Sequence, residues 1–352
     1  MGTQKFNLRE LQSSDSPALV KLITEFDGDL TTRFQVDPYG AIIFGTENRT
    51  RGVVVECEGY DGLVGMGTVR FSKVQFNDEV LPLAFLDGLK VQEEFRGQGL
   101  GYQIALWRIQ KAREELGDQG VIGTGMLYDN HASHAVARKW CHEFAESAFD
   151  VRFVPTLTHR PKLLSGVTVR EIDPAEYEEF THKQNNFYRQ YNFYPPSNPN
   201  SIVNALGVSV EGKKPYRYFA AVDANGNLLA GAQTWARGLL KSDTVNNLPM
   251  PLRILNKVVH LLPPDFTLRD ITVSGLWYES GQIEIGQYLW EMLRWECRDQ
   301  GTILTASFDA RDPAMNVVTL KPWNQPRPKI TIAIHGPTPL QRDRLLFVSG
   351  RV

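Results

Sequence analysis

The chain has 352 residues, and at about 150 residues per domain this length predicts two domains, each able to bury its own core. Apolar residues make up 42% and charged residues 22% of the sequence, which excludes a disordered or fibrous chain. The 38 basic and 40 acidic side chains give a net charge of −2, so the positive surface needed for non-specific nucleic-acid binding is not expected.

Neither a membrane span nor a secretion signal is expected. No run of about 18 apolar residues occurs, and the first ten residues lack the charged-then-apolar order of a signal peptide. The three cysteines are widely spaced and form no CxxC pair, which favours reduced thiols over disulfide or metal chemistry. We therefore expect a cytoplasmic protein with no membrane partner.

The first half of the chain alternates strand and helix patterns. Strict apolar and polar alternation predicts strands, periodic apolar residues predict helices, and Gly59-Tyr60-Asp61-Gly62 predicts a hairpin turn. In chain order, the predicted elements are a strand over 6–11, a helix from the Asp15 cap to about 26, strands over 53–57, 63–74 and 81–91, a helix over 100–116 and a strand over 121–127.

The second half repeats this order, which predicts a duplication. Asp118-Gln119-Gly120 and Asp299-Gln300-Gly301 close the long helix of each half. The repeated elements are a strand over 167–172, a helix from 173 to about 188, strands over 218–222, 228–235 and 268–276, and a helix over 282–299. The extra residues of the second half lie mostly within 237–264, where Pro and Asn predict a loop. The boundary is expected near residues 161–166.

A glycine-rich turn follows the strand over 81–91 and opens the helix over 100–116. Gly97, Gly99 and Gly101 allow the main chain to approach a ligand closely, while free N–H groups and the helix dipole favour phosphate. The turn lacks the Gly-Lys-Ser/Thr of a Walker A loop, and a Rossmann fingerprint would open the first βαβ unit of the chain. It therefore predicts an anion site of another kind.

The strand, the pattern Val91-x4-Arg96-x2-Gly99-x-Gly101 and the amphipathic helix together resemble the GNAT superfamily of acyl-CoA-dependent N-acyltransferases. The resemblance covers about residues 4–160 and includes the Asn-x2-Ser opening of a later helix. It implies an α/β (α+β) fold with two tandem domains, 1–163 and 164–352, each a mixed, mostly antiparallel sheet flanked by helices. The residues implied to bind acetyl-CoA or another acyl-CoA are Leu89, Val91, Arg96, Gly97, Gln98, Gly99, Leu100, Gly101, Asn130 and Ser133.

The equivalent loop of the second half, residues 277–286, departs from the family pattern. Gly281 stands in the place of Arg96, and Glu284 stands in the place of Gly99. A carboxylate in that position repels a pyrophosphate. We therefore expect a degenerate second copy and a single active site in the first half.

The acceptor amine must lose a proton before it attacks the thioester, so a base is needed. The resemblance implies a carboxylate on the core strand, and Asp87 is the candidate because alternation places it on the face of Leu89 and Val91, unless a bulge intervenes. Glu56 and Glu93 are the alternatives. The resemblance also implies that a backbone N–H near Val91 stabilises the oxyanion.

The leaving-group acid of the family is missing. The family places a tyrosine seven residues after the helix-opening asparagine, and this position is Ala137 here. Tyr128, at the end of the preceding strand, is the candidate substitute, and water is the alternative. His131 and His134 lack a third ligand nearby, so no metal site is expected.

The acceptor side is the least defined part of the sequence. The aromatic residues within 187–194 either line an acceptor pocket or pack in a core. Glu25, Asp27 and Asp29 either attract a cationic amine or form a solvated acidic loop. We expect an N-acyltransferase that transfers an acetyl or other acyl group from CoA to a primary amine of a small molecule or peptide. A non-catalytic acyl-CoA sensor or interaction protein is the alternative. The acceptor, the acyl length and any homo-oligomer stay open.

Overall fold

The computed structural model of the chain describes residues 5–24, 30–45, 49–247, 250, 256, 262–319 and 328–347. Within these residues, no helix combines the length and the apolar character needed to cross a membrane.

The first half contains seven strands and four helices among its described residues. They are β1 (Phe6–Glu10), α1 (Ser16–Thr24), β2 (Leu30–Phe34), α2 (Pro38–Ile43), β3 (Thr50–Cys57), β4 (Leu63–Phe76), β5 (Glu79–Val91), α3 (Leu100–Leu116), β6 (Val121–Leu127), α4 (His131–Ala137) and β7 (Glu143–Pro155).

The described part of the second half follows a similar order with additions. Its elements are β8 (Val167–Glu171), α5 (Tyr177–Phe187), β9 (Tyr191–Asn192), α6 (Pro199–Gly207), β10 (Tyr216–Asp223), β11 (Leu228–Trp235), β12 (Lys241–Val245), β13 (Thr267–Leu268), β14 (Asp270–Tyr278), α7 (Ile283–Glu296), β15 (Ile303–Asp309), β16 (Lys329–His335) and β17 (Leu345–Leu346).

One large sheet extends through both halves. Its 12 strands lie in the order β1-β3-β4-β5-β6-β16-β7-β15-β14-β11-β10-β8. Neighbouring strands pair antiparallel except β5 with β6 and β14 with β15, which are parallel. The expected mixed, mostly antiparallel sheet is confirmed, with helices packed against it.

The two halves exchange strands where they meet. β16 inserts between β6 and β7, pairing Ile330 with Leu127 and His335 with Ile122 on one side. β7 pairs with β16 through its first residues and with β15 through its last, where Phe149 faces Asp309. A strand from the end of the chain therefore completes the sheet of the first half.

Two cores on opposite faces of the sheet position the first-half helices. On the α3 face, one stripe of that helix is buried against β3, β4 and β5, and its members are Leu100, Ile104, Ala105, Ile109 and Ala112. On the other face, Leu19 and Leu22 of α1 pack against Leu63 and Met66. Burial of a Leu or Ile side chain contributes about 1.5–3 kcal/mol, so these stripes fix both helices on the sheet.

The two halves share side-chain details as well as element order. Arg9 donates to Asp15, whose carboxylate also caps a backbone amide, and Arg170 pairs with Glu176 in the same way 161 residues later. The core strands carry the same irregularity: β5 and β14 each contain one extra residue relative to their neighbour, at a glycine with positive φ.

Most predicted elements are confirmed, and the main correction concerns residues 237–264. The sequence predicts a loop there, but β12 lies within it and pairs along its whole length with β2 of the first half. Thr32 Oγ1 donates to Asp243 Oδ1 at 2.6 Å, and Gln35 donates to Ser242. The long helix of the second half ends at Glu296, before the predicted residue 299.

A histidine pair beside β16 predicts a pH-dependent stability. The rings of His142 and His335 lie 3.8 Å apart between centroids, and burial, then the charge of His142, lowers the pKa of His335. Because the unfolded chain then binds more protons, stability should fall as pH drops through about 6.5, the value of an unperturbed histidine.

Urea unfolding from about pH 7.5 to about pH 5.5 measures this effect. His335→Asn keeps a donor for the Trp140 carbonyl, which His335 Nδ1 contacts at 3.2 Å, but cannot titrate. The variant should lose less stability than the wild-type chain on acidification. An equal loss in both would contradict the assignment to His335.

Candidate active site

The parallel strands β5 and β6 separate beyond their first residues. Their pairing covers only Leu83 to Phe85 against Val121 to Gly123, although both strands continue further. A cavity of about 250 Å³ lies where they part. It is bounded by residues 86–89 of β5, residues 124–127 of β6, Arg108 of α3, and the α4 region from residue 130 to Trp140. The cavity therefore opens the centre of the sheet to a ligand.

A bulge at Gly88 shapes the β5 side of this cavity. Asp87 is paired with Thr68 but Lys90 with Met66, so β5 has one extra residue, and Gly88 adopts a φ of 62°. Thr68 Oγ1 donates to the Asp87 carbonyl at 3.1 Å. An L side chain at position 88 would be strained, which explains the glycine.

The bulge corrects the predicted direction of Asp87. Leu89 and Val91 pack on the α3 side with Phe95, whereas Lys90 donates to the Ile23 carbonyl of α1 at 3.0 Å. Asp87 bonds to Arg70 of β4. Val69, the residue next to Arg70, packs on the α3 side, so Arg70 and Asp87 lie on the opposite, α1 side. Asp87 thus does not share the face of Leu89 and Val91.

The Asp87 carboxylate is fixed at the edge of the cavity. It forms an ion pair with Arg70 and accepts a hydrogen bond from the Gly88 amide at 2.7 Å. The side chain keeps 28% of its surface exposed. A carboxylate held in this way at the opening in the sheet is available to a group arriving from the α1 side.

The second half brings a lysine towards Asp87. Lys241 of β12 has a lowered pKa because of burial and the nearby Arg237, while the carboxylates of Asp243, Asp87 and Asp270 act in the opposite direction. Charged groups of the second half therefore interact electrostatically with Asp87. Lys241 could not be found from local sequence patterns, because the pairing of β12 with β2 joins residues about 200 positions apart.

Arg108 lies in the cavity wall and was not predicted. Its side chain is 3% exposed and occupies a position of the buried α3 stripe. Nη1 donates to the Asp87 carbonyl at 3.0 Å and to the Thr68 carbonyl at 3.3 Å. Burial lowers the pKa of Arg108 to about 10, although the charge of Asp87 acts to raise it. The group is therefore a cation at neutral pH.

The glycine-rich turn is open to solvent. Gly97 and Gly99 adopt φ values of 76° and 82°, and a Cβ at either position would meet no atom within 4 Å. The backbone amides of residues 97–101 donate no hydrogen bond to any described residue. These five free N–H groups at the start of the 17-residue helix α3 can bind an anion, and the space in front of them is open. We call residues 97–101 the cradle.

The cradle adjoins the cavity through α4. A Cβ on Gly101 would lie 3.6 Å from Val136, a residue of the cavity wall. Asn130 caps α4 by accepting from the Ser133 amide at 3.1 Å, and both residues line the cavity. Arg96 is exposed beside the cradle and its Nε donates to the Val91 carbonyl at 3.4 Å. Leu89, Asn130 and Ser133 thus line the cavity and the glycine turn adjoins its wall at Val136, whereas Leu100, also predicted to bind CoA, lies in the core.

Other candidates lie away from this surface. Tyr128 is 53% exposed and does not line the cavity. Glu93 is exposed in a 3-10 turn. Glu56 accepts from Arg9 at 2.7 Å in an open groove of about 700 Å³ at the β1 edge of the sheet. Arg9, Asp15 and Glu56 of that larger groove are paired with each other, which leaves the smaller cavity as the better candidate site.

The histidines of α4 have structural surroundings. His134 is buried, stacks on Phe144 and contacts the Leu127 carbonyl at 3.3 Å, whereas His131 is exposed. Among the described residues, no three His, Cys, Asp or Glu side chains are grouped so that they could hold a metal ion.

The corresponding part of the second half is filled by side chains. β14 and β15 also pair only over their first residues, but Tyr278, Tyr288 and Phe308 belong to the core at this position. A Cβ on Gly286 would lie 3.1 Å from Tyr278 and Val317. The turn before α7 holds Glu279, paired with Lys183 at 2.5 Å.

The aromatic residues within 187–194 pack in the core. Tyr188, Tyr191 and Tyr194 are buried, and each hydroxyl has a partner within the second half. Burial raises the pKa of Tyr188 well above its usual value. Of the two interpretations the sequence left open, core packing is confirmed. The acidic residues Glu25, Asp27 and Asp29 lie outside the described residues.

Sequence comparison agrees with this geometry. Residues 19–142 match the sequence profile described as the Acetyltransferase (GNAT) family. The chain carries a GNAT acetyltransferase domain. The matched segment contains the cradle, the residues that line the cavity and Asp87, and this GNAT domain supports an acyltransferase enzyme. No curated protein sequence matches the chain significantly.

The fold of this GNAT chain is similar to solved structures over both halves. N-myristoyltransferase of Saccharomyces cerevisiae, solved with bound myristoyl-CoA, aligns with a TM-score of 0.61 and 8% identity, covering 94% of this chain and 84% of that one. A GCN5-related N-acetyltransferase from Sphaerobacter thermophilus aligns with a TM-score of 0.55 and 14% identity, covering 95% and 96%. At these identities the likeness concerns the fold.

Proposed function

We propose that this GNAT enzyme transfers an acyl group from acyl-CoA to a primary amine by direct attack. The diphosphate of CoA would lie on the free amides of residues 97–101, and its pantetheine arm would pass Asn130 and Ser133 into the cavity between β5 and β6. The observation that carries the proposal is the continuity of the cradle with the cavity. Charge-assisted hydrogen bonds to such amides contribute about 1.5–3 kcal/mol each.

The chemistry begins at the bulge of β5. The amine approaches from the α1 side, where the Asp87 carboxylate accepts its proton directly or through a water molecule. The nitrogen then attacks the thioester carbon held in the cavity, and a backbone N–H near Val91 stabilises the oxyanion. The carbon–sulfur bond breaks and CoA leaves with the electron pair on sulfur.

Asp87→Asn tests the assigned base. The turnover rate should fall by about 10²- to 10⁴-fold, while affinity for acetyl-CoA should stay unchanged because Asp87 does not contact the cradle. The assay screens a broad panel of amines for release of free thiol and then compares variants on the best acceptor. Glu56→Gln, the other candidate base, serves as the control with unchanged turnover. A slow Glu56→Gln and a normal Asp87→Asn would reject the assignment.

The domain organisation also enters as a proposal. We propose a tandem of an active domain, residues 1–163, and a degenerate copy, residues 164–352. The repeated Arg9 and Arg170 ion pairs and the matching bulges at Gly88 and Gly275 support a common origin of the halves. The filled second cavity and Glu284 support the loss of CoA binding from the second copy.

An acyl-CoA sensor without catalysis is the second candidate, and Ala137 favours it. This residue is buried where the family has its tyrosine acid, so no phenol is available at that position. A sensor would bind acetyl-CoA and release no thiol with any amine of the panel. Thiol release above the rate of hydrolysis would reject the sensor.

A further inference from the structure

Arg108 has a donor that the protein leaves unused. The guanidinium Nε donates to the Ile104 carbonyl at 3.3 Å, and Nη1 donates to the Thr68 and Asp87 carbonyls. Nη2 has no hydrogen-bond partner among the described residues. The side chain is 3% exposed and lines the cavity, so this nitrogen is an unused donor of a nearly buried cation beside the space assigned to the thioester.

The position of Arg108 in α3 makes a purely structural role costly. At helical spacing it is preceded by Leu100 and Ile104 and followed by Ala112, which are all buried apolar residues. Burying a cation costs several kcal/mol unless the charge is paired, and the hydrogen-bonding partners of Arg108 are neutral carbonyls. The nearest carboxylate, Asp87, is bonded to Arg70 instead. The charge of Arg108 therefore remains available to a ligand.

The cavity lacks another group of this kind. Of the residues that line it, Arg108 is the one cation, and the Thr124 hydroxyl is engaged with the Leu86 carbonyl at 2.8 Å. Ala137 offers no hydroxyl, and the remaining side-chain donors, such as the Trp140 indole, are neutral. Among the described residues that line the cavity, Arg108 is thus the one that offers positive charge to a thiolate formed in this space.

We infer that Arg108 stabilises the CoA thiolate as it leaves, in place of a proton-donating acid. This inference rests on the proposed acyl transfer. The amine nitrogen forms a bond with the thioester carbon, the carbon–sulfur bond breaks, and its electron pair stays on sulfur beside the guanidinium. Asp87 takes one proton as the ammonium becomes an amine, the nitrogen gives its second proton to water as the amide forms, and the thiolate takes a proton from water after release. No further reactant is required.

The test is the pKa of the CoA thiol in its complex with the full-length protein, which needs no knowledge of the acceptor. Thiolate formation is followed by ultraviolet absorbance, with the desulfo-CoA complex as the blank for protein tyrosines and cysteines. The bound thiol should titrate at least about one pH unit below free CoA, because a neighbouring cation favours the thiolate. A bound thiol that titrates at or above free CoA would overturn the inference.

Variants separate the charge of Arg108 from its contacts. Arg108→Met should return the thiol to the pKa of free CoA or above it, and Arg108→Lys should retain part of the shift. Lys111→Met removes a partly exposed cation, which does not line the cavity, from the same helix and should change nothing. If Arg108→Met does not fold, Arg108→Gln keeps a donor for the Asp87 carbonyl without the charge. A lowered thiol pKa that survives in the neutral variant rejects Arg108 as its cause.

Calorimetry distinguishes this inference from the proposed function. If neither CoA nor desulfo-CoA binds the wild-type protein, the CoA site itself is wrong. If both bind and the thiol pKa is unshifted, the CoA site stands and the role of Arg108 fails.

Discussion

Gly99→Glu is expected to abolish CoA binding. The side chain would be placed at the N-terminus of α3, in open space, with its carboxylate among the amides that receive the diphosphate. Like charges at this distance repel, and a φ of 82° adds backbone strain for any residue with a Cβ. We expect at least a 100-fold loss of affinity for acetyl-CoA, about 2.7 kcal/mol, measured by isothermal titration calorimetry.

Gly281→Glu is the matched control for this variant. Gly281 precedes α7 in the second half, has a φ of 77°, and a Cβ there would also meet nothing within 4 Å. The control therefore introduces the same charge and a similar strain at the equivalent turn of the degenerate copy. Its affinity should equal that of the wild-type chain. Unchanged binding in Gly99→Glu would reject the cradle, and lost binding in Gly281→Glu would place the site in the second half.

Ile334→Asp should destabilise the whole chain, since β16 joins the two halves. Ile334 is fully buried, and its core cluster includes Phe149 of β7 and Val121 of β6. The substitution removes apolar contacts and buries a carboxylate without a partner, which together cost about 4 kcal/mol or more. Urea unfolding followed by circular dichroism measures the loss.

Lys329→Ala provides the comparison on the same strand. Lys329 is exposed, so its loss should cost less than about 0.5 kcal/mol. One cooperative transition, shifted to lower urea in Ile334→Asp, is expected because β16 pairs with β6 and β7 together. If part of the circular dichroism change in Ile334→Asp kept the wild-type urea midpoint, one half would unfold independently, and this would contradict the strand exchange.

Local patterns predicted the local structure well. Alternation located β1, β3 and β4, and the apolar stripe located α3 with both of its ends. The glycine turn was predicted as an open anion site because φ and free amides depend on neighbouring residues alone. The same reasoning placed Asn130 at the cap of α4, where the structure has it.

Long-range pairing was beyond these patterns. The strand β16 was not among the predicted elements, and its insertion between β6 and β7 joins segments about 200 residues apart. The bulge at Gly88 reversed the face of Leu89 and Val91, since one extra residue shifts every later side chain. Arg108 stood in an apolar stripe, and this interruption of the pattern was the signal that could have found it.

The central claim is that one CoA molecule binds in the first half, with its diphosphate on the amides ahead of α3. A crystal structure of the chain with acetyl-CoA tests this claim most directly. We predict density for the diphosphate against residues 97–101 and for the pantetheine arm between β5 and β6, next to Arg108. Density between β14 and β15 instead, or a ligand whose diphosphate contacts none of those amides, would contradict it.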